Sequence, residues 1–239
     1  MTTKPEIKAV LFDLDGTLLP MDQSTFAKEY FKGIAGHMAP HGIAPQQMIE
    51  LTLLGTEAMV HNDGSRTNAQ VFWSTFFAAL GEEHGDYENI AAGFYTEGFN
   101  KLQAYTEPNP YALDAVKAAH AEGRKVVLAT NPVFPMAAQL DRLSWLGLGE
   151  QDFDLVTSYE NSSYCKPNPD YYRDICEKIG VAPENCLMIG NDEREDMKAA
   201  SEAGLNCFLV TDCRIMSKHF VWTGERGSFE QALHMLERL

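Results

Sequence analysis

Two aspartates one residue apart, Asp13 and Asp15, stand at the end of an apolar run near the start of the chain. The run predicts a buried strand, and side chains alternate along a strand, so both carboxylates can project from the same side of its carboxyl end. Gly16 lets the chain turn away there at little steric cost. Two carboxylates this close repel by about 4 kcal/mol at a separation of 4 Å and an effective dielectric constant of 20. The pair therefore indicates a bound cation, a shared proton or a chemical role, although an acidic surface turn gives the same pattern.

The composition narrows the class of protein. A chain of 239 residues suits one large domain or a domain with a sizeable insertion. It carries 19 basic and 34 acidic residues, a net charge of −15, which argues against nucleic acid as a partner. No apolar run of membrane-spanning length occurs, so we expect no membrane partner. The five cysteines are scattered without a C-x-x-C pair, which predicts reduced thiols. The amino terminus lacks a signal-peptide pattern, so we expect a cytoplasmic location.

Residues 21–106 have apolar positions at helical spacing and no strand-like alternation. They predict four helices. The first is capped by Asp22, with Phe26, Tyr30, Ile34 and Met38 inward. The second is short, Pro45 to Leu54. The third is capped by Asn68, with Val71, Phe72, Phe76 and Ala79 on one face. The fourth is capped by Asp86, with Ile90, Phe94 and Leu102 inward.

From Asn109 onward predicted helices alternate with buried strands, which is typical of a parallel sheet covered by helices on both faces. The predicted strands are Lys125–Thr130, Phe153–Thr157, Cys186–Ile189 and Asn206–Val210. The predicted helices are 109–123, 135–146, 168–180, 193–203 and 228–239. The predicted fold class is therefore α/β, with a Rossmann-like parallel sheet core (residues 1–20 and 107–239) and an inserted all-helical cap domain (21–106).

Polar residues stand at or after the carboxyl ends of the first four predicted strands. In open α/β sheets ligands bind beyond the carboxyl ends of the strands, so these residues should share one edge. They are Asp13 and Asp15, then Thr130 and Asn131, then Lys166, and finally Asp192 with Asp196. Each has a simpler explanation when taken alone, such as a strand end, a surface lysine or acids at a helix start.

This set of side chains suits phosphoryl transfer. Mg²⁺ held by Asp13 and Asp192 would offset the negative charges of an attacking carboxylate and a phosphate. Lys166 and the Thr130 hydroxyl would hold phosphate oxygens. Asp13 could form an aspartyl-phosphate, and Asp15 could protonate the leaving oxygen and later accept a proton from water.

The chain resembles the haloacid dehalogenase-like (HAD) hydrolase superfamily at four motifs. Residues 13–17 match the first motif, Thr130-Asn131 the second, Lys166-Pro167 the third, and 190–204 resemble the fourth. The resemblance implies a Rossmann-like core, a helical cap inserted after the first motif, and a magnesium site made by the Asp13 carboxylate, the Asp15 carbonyl and a fourth-motif acid. Asp15 favours phosphatases over dehalogenases.

The fourth motif departs from the usual pattern, because Asn191 stands between Gly190 and Asp192. If Asp192 begins the motif, it binds the metal and Asp196 supports Lys166. If Asn191 occupies the place of the first acid, the metal site is weakened.

We therefore expect a phosphoric monoester hydrolase that needs magnesium and acts on a small phosphorylated metabolite. The alternatives are a phosphosugar mutase that uses the same phosphoenzyme, or a non-catalytic regulator that binds a phosphometabolite. The polar connection 55–67 is expected to face the active site, by analogy with capped relatives. The expected substrate-binding residues are Gly16, His61, Arg66, Thr130, Asn131 and Lys166. The sequence identifies neither the substrate nor the oligomeric state.

Overall fold

The core of the protein is a parallel β-sheet, seen in a computed structural model that describes residues 6–81 and 86–239. The described strands lie in the order β3-β2-β1-β4-β5-β6, and every pair of neighbours is parallel. The strands are β1 (Ala9–Phe12), β2 (Lys125–Leu128), β3 (Leu155–Val156), β4 (Cys186–Gly190), β5 (Asn206–Val210) and β6 (Arg226–Gly227).

Helices cover both faces of this sheet and form the segment inserted after β1. The α-helices are α1 (Gln23–Met38), α2 (Pro45–Val60), α3 (Asn68–Leu80), α4 (Tyr87–Glu97), α5 (Ala112–Ala119), α6 (Met136–Ser144), α7 (Pro169–Ile179), α8 (Ala199–Ala203) and α9 (Phe229–Leu236). Short 3₁₀ segments are Ala39–His41, Phe99–Tyr105, Ala121–Gly123, Glu150–Asp152 and Pro183–Asn185, and Glu193–Lys198 is a π-helix.

Strand β1 is buried on both faces, as the parallel-sheet prediction requires. Val10 and Phe12 join one apolar cluster, which extends into the helical insert (residues 23–105), and Ala9 and Leu11 join a second cluster with α7 and α8. The predicted fold class is confirmed. The division into domains remains a prediction, and its ranges include residues 1–5 and 82–85, which lie outside the described residues.

The sequence prediction ends the second helix too early. Helix α2 continues past Leu54 to Val60, so Gly55 lies inside the helix rather than in a connection. A Cβ atom on Gly55 would lie 2.5 Å from the Phe72 ring, so the glycine allows α2 to approach α3 closely.

Several predicted helix details are also wrong. Thr67, not Asn68, caps α3, because its side chain and that of Gln70 form a reciprocal capping box. Ala79 is exposed rather than inward. Asp86 precedes α4, but its side chain accepts from the Asn89 side chain and not from the helix backbone.

The remaining differences concern the ends of elements. Strands β2 and β3 are shorter than predicted. Helices α5, α6 and α9 are shorter than predicted as well. Helix α5 begins at Ala112 rather than Asn109, whose side chain donates to the Leu18 carbonyl. The short strand β6 had no sequence signal.

The described residues contain no disulfide, and all five cysteines are free. Within the described ranges, no helix combines the length and the apolar character that crossing a bilayer requires.

The helical insert is fastened to the sheet domain by the amino-terminal end of α3. The backbone N–H groups of Asn68 and Ala69 donate to the carbonyls of Ser162 and Tyr159, at 2.8 and 2.7 Å. The Asn68 side-chain amide, which is fully buried, donates to the Pro132 carbonyl at 3.2 Å and also reaches the Tyr164 carbonyl and the Cys165 thiol. We call Asn68 and Ala69 the α3 anchor.

The α3 anchor predicts a stability cost for Asn68→Ala. The substitution leaves buried acceptors without a donor, so the free energy of unfolding should fall by about 1–3 kcal/mol. Urea denaturation measures the loss. The control is Asn100→Ala, which removes an exposed acceptor for the Trp145 indole N–H and should cost less than about 0.5 kcal/mol. Equal losses in the two variants would contradict the anchor role.

Candidate active site

The strand register aligns the residues that follow β1, β2 and β4. Phe12 pairs with Leu128 of β2 and with Ile189 of β4, so the chain leaves all three strands at the same level. Asp13, Thr130 and Asn191 therefore lie at one edge of the sheet, where they line a common cavity. The predicted convergence at the carboxyl ends of the strands is what the structure shows.

Lys166 is the buried cation of this edge. Its Nζ lies 2.8 Å from Asp13 Oδ1 and 2.6 Å from Asp196 Oδ1, and the lysine is 1% exposed. Burial alone would lower the pKa of Lys166, but the two carboxylates raise it well above its usual range, so the lysine stays charged. Burial also raises the pKa of Asp196, to about 7, against the opposing effect of Lys166. The cluster holds one positive charge between two carboxyl groups.

The second oxygen of Asp13 is held by Thr17, whose hydroxyl lies 3.0 Å from Asp13 Oδ2 and 3.2 Å from Asn191 Oδ1. The Asn191 amide in turn donates to the Cys213 carbonyl at 2.6 Å. Both carboxylate oxygens of Asp13 thus have partners, which fix its orientation. Asn191 is 1% exposed and serves as a hydrogen-bonding support at the edge of the sheet.

Asp15 is paired with a residue that sequence reasoning missed. Arg142 of α6 is fully buried and donates to Asp15 Oδ2, and its guanidinium carbon lies 4.6 Å from the centroid of the Phe134 ring. Burial raises the pKa of Asp15, and the guanidinium opposes that shift. Asp15 Oδ1 is buried and has no hydrogen-bond partner in the described structure, so it can carry a proton. The only sequence signal for Arg142 was a lone cation at helical spacing from the buried Ala138.

Gly16 makes the turn after the two aspartates. Its φ is +89°, and a Cβ atom there would lie 2.3 Å from the Asn191 amide nitrogen. The left-handed backbone and the close approach of Asn191 both require glycine.

Thr130 and Asn131 follow β2 and line the cavity. The hydroxyls of Tyr171 and Thr157 donate to the Thr130 carbonyl, at 2.7 and 2.9 Å. These bonds hold the backbone that carries the Thr130 side chain. The Asn131 amide donates to Glu195 Oε2 at 3.1 Å, and its Oδ1 is buried with no hydrogen-bond partner among the described residues. Burial raises the pKa of Glu195 to about 7.

The segment after Asp192 is a π-helix rather than the beginning of the predicted α-helix. Asp192 Oδ1 accepts from the backbone N–H groups of Arg194 and Glu195, both at 2.7 Å, and caps this helix. The Asp192 backbone N–H donates to Asp196 Oδ2 at 2.9 Å. Asp196 is thereby held between Lys166 and the backbone that follows β4. π-Helical segments are often found at functional sites.

His61 and Arg66 are not brought to this cavity. Both are exposed, and neither is among the residues that line it. His61 Nδ1 lies 2.9 Å from the Glu57 carbonyl, and Arg66 donates to the Ser74 hydroxyl at 3.2 Å. The connection 55–67 was expected to face the site. Of its residues only Thr56, on α2, lines the cavity.

The fold is a Rossmann-like α/β core, and this edge of its sheet carries paired carboxylates and one buried lysine. The model of the haloacid dehalogenase-like hydrolase family matches residues 7–204, and the chain belongs to that family. This match confirms the predicted family and the expectation of a hydrolase.

The chain is similar over most of its length to named phosphatases. It is 29% identical to the glyceraldehyde 3-phosphate phosphatase of Methanothermobacter thermautotrophicus, over 85% of each chain. It is 29% identical to the phosphoglycolate phosphatase of Shigella dysenteriae, over 83% of this chain and 79% of that one. The solved structure of a HAD phosphatase from Thermococcus onnurineus has a TM-score of 0.58, over 96% of this chain and 98% of that chain at 19% identity, and shows the shared fold.

The turn at Gly16 yields a testable prediction. Gly16→Ala should lower the free energy of unfolding by more than the ~1–2 kcal/mol of a left-handed alanine, because the added methyl group also displaces Asn191. The matched control is Gly42→Ala, since Gly42 also has a positive φ (+96°) but no atom within 4 Å of the added carbon. Thermal or urea denaturation of both variants measures the difference, and equal costs would show that Asn191 moves aside freely.

Proposed function

We propose that the protein is a magnesium-dependent phosphatase that hydrolyses a small phosphorylated metabolite through an aspartyl-phosphate intermediate. The observation that carries the proposal is the arrangement of Lys166, whose Nζ lies 2.8 Å from Asp13 Oδ1 in a cavity that Asp15 and Thr130 also line. One strand end supplies both a nucleophile and an acid, and the lysine supplies a charge for phosphate.

Asp13 is the nucleophile in this proposal. A carboxylate oxygen of Asp13 attacks phosphorus, the ester P–O bond breaks, and the leaving alcohol oxygen takes a proton from Asp15. Asp15 then removes a proton from the water that attacks the aspartyl-phosphate, which returns free Asp13 and inorganic phosphate. Asp15 Oδ1 supports this role, because it is a buried oxygen without a partner in the described structure.

Lys166 and Thr130 bind the phosphate oxygens in the proposed mechanism. Lys166 has a pKa well above its usual range, so its charge is present throughout the neutral pH range. Its contact with Asp196 keeps the ammonium group in place when Asp13 becomes phosphorylated. Asn131 lines the same cavity with an unpartnered Oδ1, which suits a contact to substrate.

The proposed ligands fit a magnesium ion by their chemistry, because all of them are oxygen atoms. The proposed ligands are the Asp13 carboxylate, the Asp15 carbonyl and the Asp192 carboxylate. Among described residues no three His, Cys, Asp or Glu side chains are grouped to hold a metal, and the proposed set includes one backbone carbonyl. When bound, the ion would offset the repulsion between the nucleophile and the phosphate.

The contacts of the fourth motif support Asp192, rather than Asn191, as its first acid. Asp196 bonds Lys166 at 2.6 Å, as the alignment that begins at Asp192 requires. The side chain of Asn191 is committed to Thr17 and to the Cys213 carbonyl.

The proposed partner is a small phosphate ester, with neither nucleic acid nor a membrane involved. The free thiols of all five cysteines support a cytoplasmic location as part of the same proposal.

Asp13→Asn should reduce the hydrolysis of p-nitrophenyl phosphate at least ~10³-fold, because an uncharged amide replaces the nucleophilic carboxylate. The release of inorganic phosphate measures the rate, and circular dichroism checks the fold. Asp114→Asn, a change of an exposed carboxylate on α5, is the matched control and should keep full activity. Turnover of Asp13→Asn within tenfold of the unchanged protein would remove Asp13 as the nucleophile. Isomer formation from a phosphosugar without net phosphate release would favour the mutase instead.

Asp192→Asn should raise the magnesium concentration needed for half-maximal activity by about 10–100-fold, because a ligand charge is lost. Calorimetric titration with Mg²⁺ gives a second readout that does not depend on turnover. Asn191→Ala should shift magnesium affinity far less, since its side chain bonds protein groups. The reverse order of the two variants would assign the metal ligand to position 191.

A further inference from the structure

The cavity over Asp13 has a volume of about 550 Å³, which is far larger than a phosphate group needs. Its base holds the catalytic candidates, and its walls come largely from the helical insert and from the loops after β2 and β3. The part of the substrate that leaves with the alcohol oxygen must therefore occupy the space between these walls.

Aromatic rings form much of the wall. The lining rings are Phe26, Tyr30, Phe31, Phe72, Trp73, Tyr95, Phe134 and Tyr159. They support one another in edge-to-face contacts, with centroids 5.0 Å apart for Tyr30 and Phe134 and 5.1 Å apart for Phe72 and Trp73. Such a wall is preformed and apolar, and it offers faces and edges to another ring.

The charged side chains that line the cavity are nearly all acidic. The described lining includes the carboxyl groups of Asp13, Asp15, Glu88, Glu160, Asp192, Glu195 and Asp196, and a single cation, Lys166. Lys166 is already shared by two carboxylates and is assigned to the phosphate. Arg142 lies behind Asp15, fully buried, and is not part of the lining. No described cation remains in the cavity for a second anionic group.

We propose that the substrate is a phosphate monoester whose leaving group carries an aromatic ring and no negative charge. This inference rests on the proposed phosphatase function and concerns the same site. A carboxylate or second phosphate on the leaving group would be desolvated among rings and acids without a counter-charge, which is unfavourable. The chain thus differs in substrate class from its phosphoglycolate phosphatase relatives, whose substrate bears a carboxylate.

Four esters on one two-carbon skeleton test the proposal: 2-phenylethyl phosphate, ethyl phosphate, 2-phosphoglycolate and phosphoethanolamine. With magnesium present, kcat/KM should be highest for the phenylethyl ester. It should exceed that of ethyl phosphate at least ~10-fold and that of phosphoglycolate at least ~100-fold, since buried apolar contacts discriminate on this scale. Phosphoglycolate in first place would overturn the proposal. Phosphoethanolamine in first place would also overturn it, because the walls would then select a cation.

The second experiment adds a positive charge to the cavity wall. Thr56 lines the cavity from α2, and its hydroxyl bonds the Thr52 carbonyl of its own helix at 2.8 Å. Thr56→Lys should raise the ratio of kcat/KM for phosphoglycolate over the phenylethyl ester at least ~10-fold, by supplying the missing counter-charge. Thr96→Lys is the matched control, because Thr96 also bonds its own helix, at 2.9 Å to Gly93, but is exposed and outside the lining.

The outcomes separate this inference from the proposed function. No hydrolysis of any ester, p-nitrophenyl phosphate included, would reject the phosphatase itself. Hydrolysis with an unchanged ratio in Thr56→Lys, or the same change in both lysine variants, would reject only the assignment of the leaving group.

Discussion

The repulsion between the carboxylates of Asp13 and Asp15 is the constraint on which the site depends. A pair of such charges costs about 4 kcal/mol at 4 Å and an effective dielectric constant of 20, and burial adds to that cost. The structure pairs the two carboxylates with different cations, Asp13 with Lys166, which Asp196 shares, and Asp15 with Arg142. The two acids thereby acquire different surroundings, which is the physical basis for assigning them different roles.

The sheet makes this separation possible. The register of β1 with β2 and β4 fixes the edge at which the aspartates lie, and Arg142 and Lys166 reach this edge from the segments after β2 and β3. The two cations come from opposite sides: Arg142 from α6, and Lys166 from the loop before α7. A change in strand register would separate both ion pairs at once, so the core that fixes the register also fixes the electrostatics of the site.

Much of this arrangement could be predicted from the sequence, because the motif residues follow strands and strand ends must converge. The α/β fold and the meeting of Asp13 with Lys166 followed in this way. Arg142 and the α3 anchor did not, since both use an ordinary helical position to reach a partner whose place depends on tertiary packing. His61 was misplaced because the sequence prediction ended the second helix at Leu54, whereas α2 continues to Val60 and Gly55 packs against Phe72 within it.

The α3 anchor also bears on how the cavity exchanges its contents. The first N–H groups of any helix lack partners within it, and those of Asn68 and Ala69 use carbonyls of the sheet domain. Water can replace such carbonyls, at a net cost of about 1–3 kcal/mol for the pair. Movement of α3 away from the sheet domain is therefore thermally accessible as far as these two bonds are concerned. The Asn68 side chain, which donates to the Pro132 and Tyr164 carbonyls, adds to the cost of such a movement.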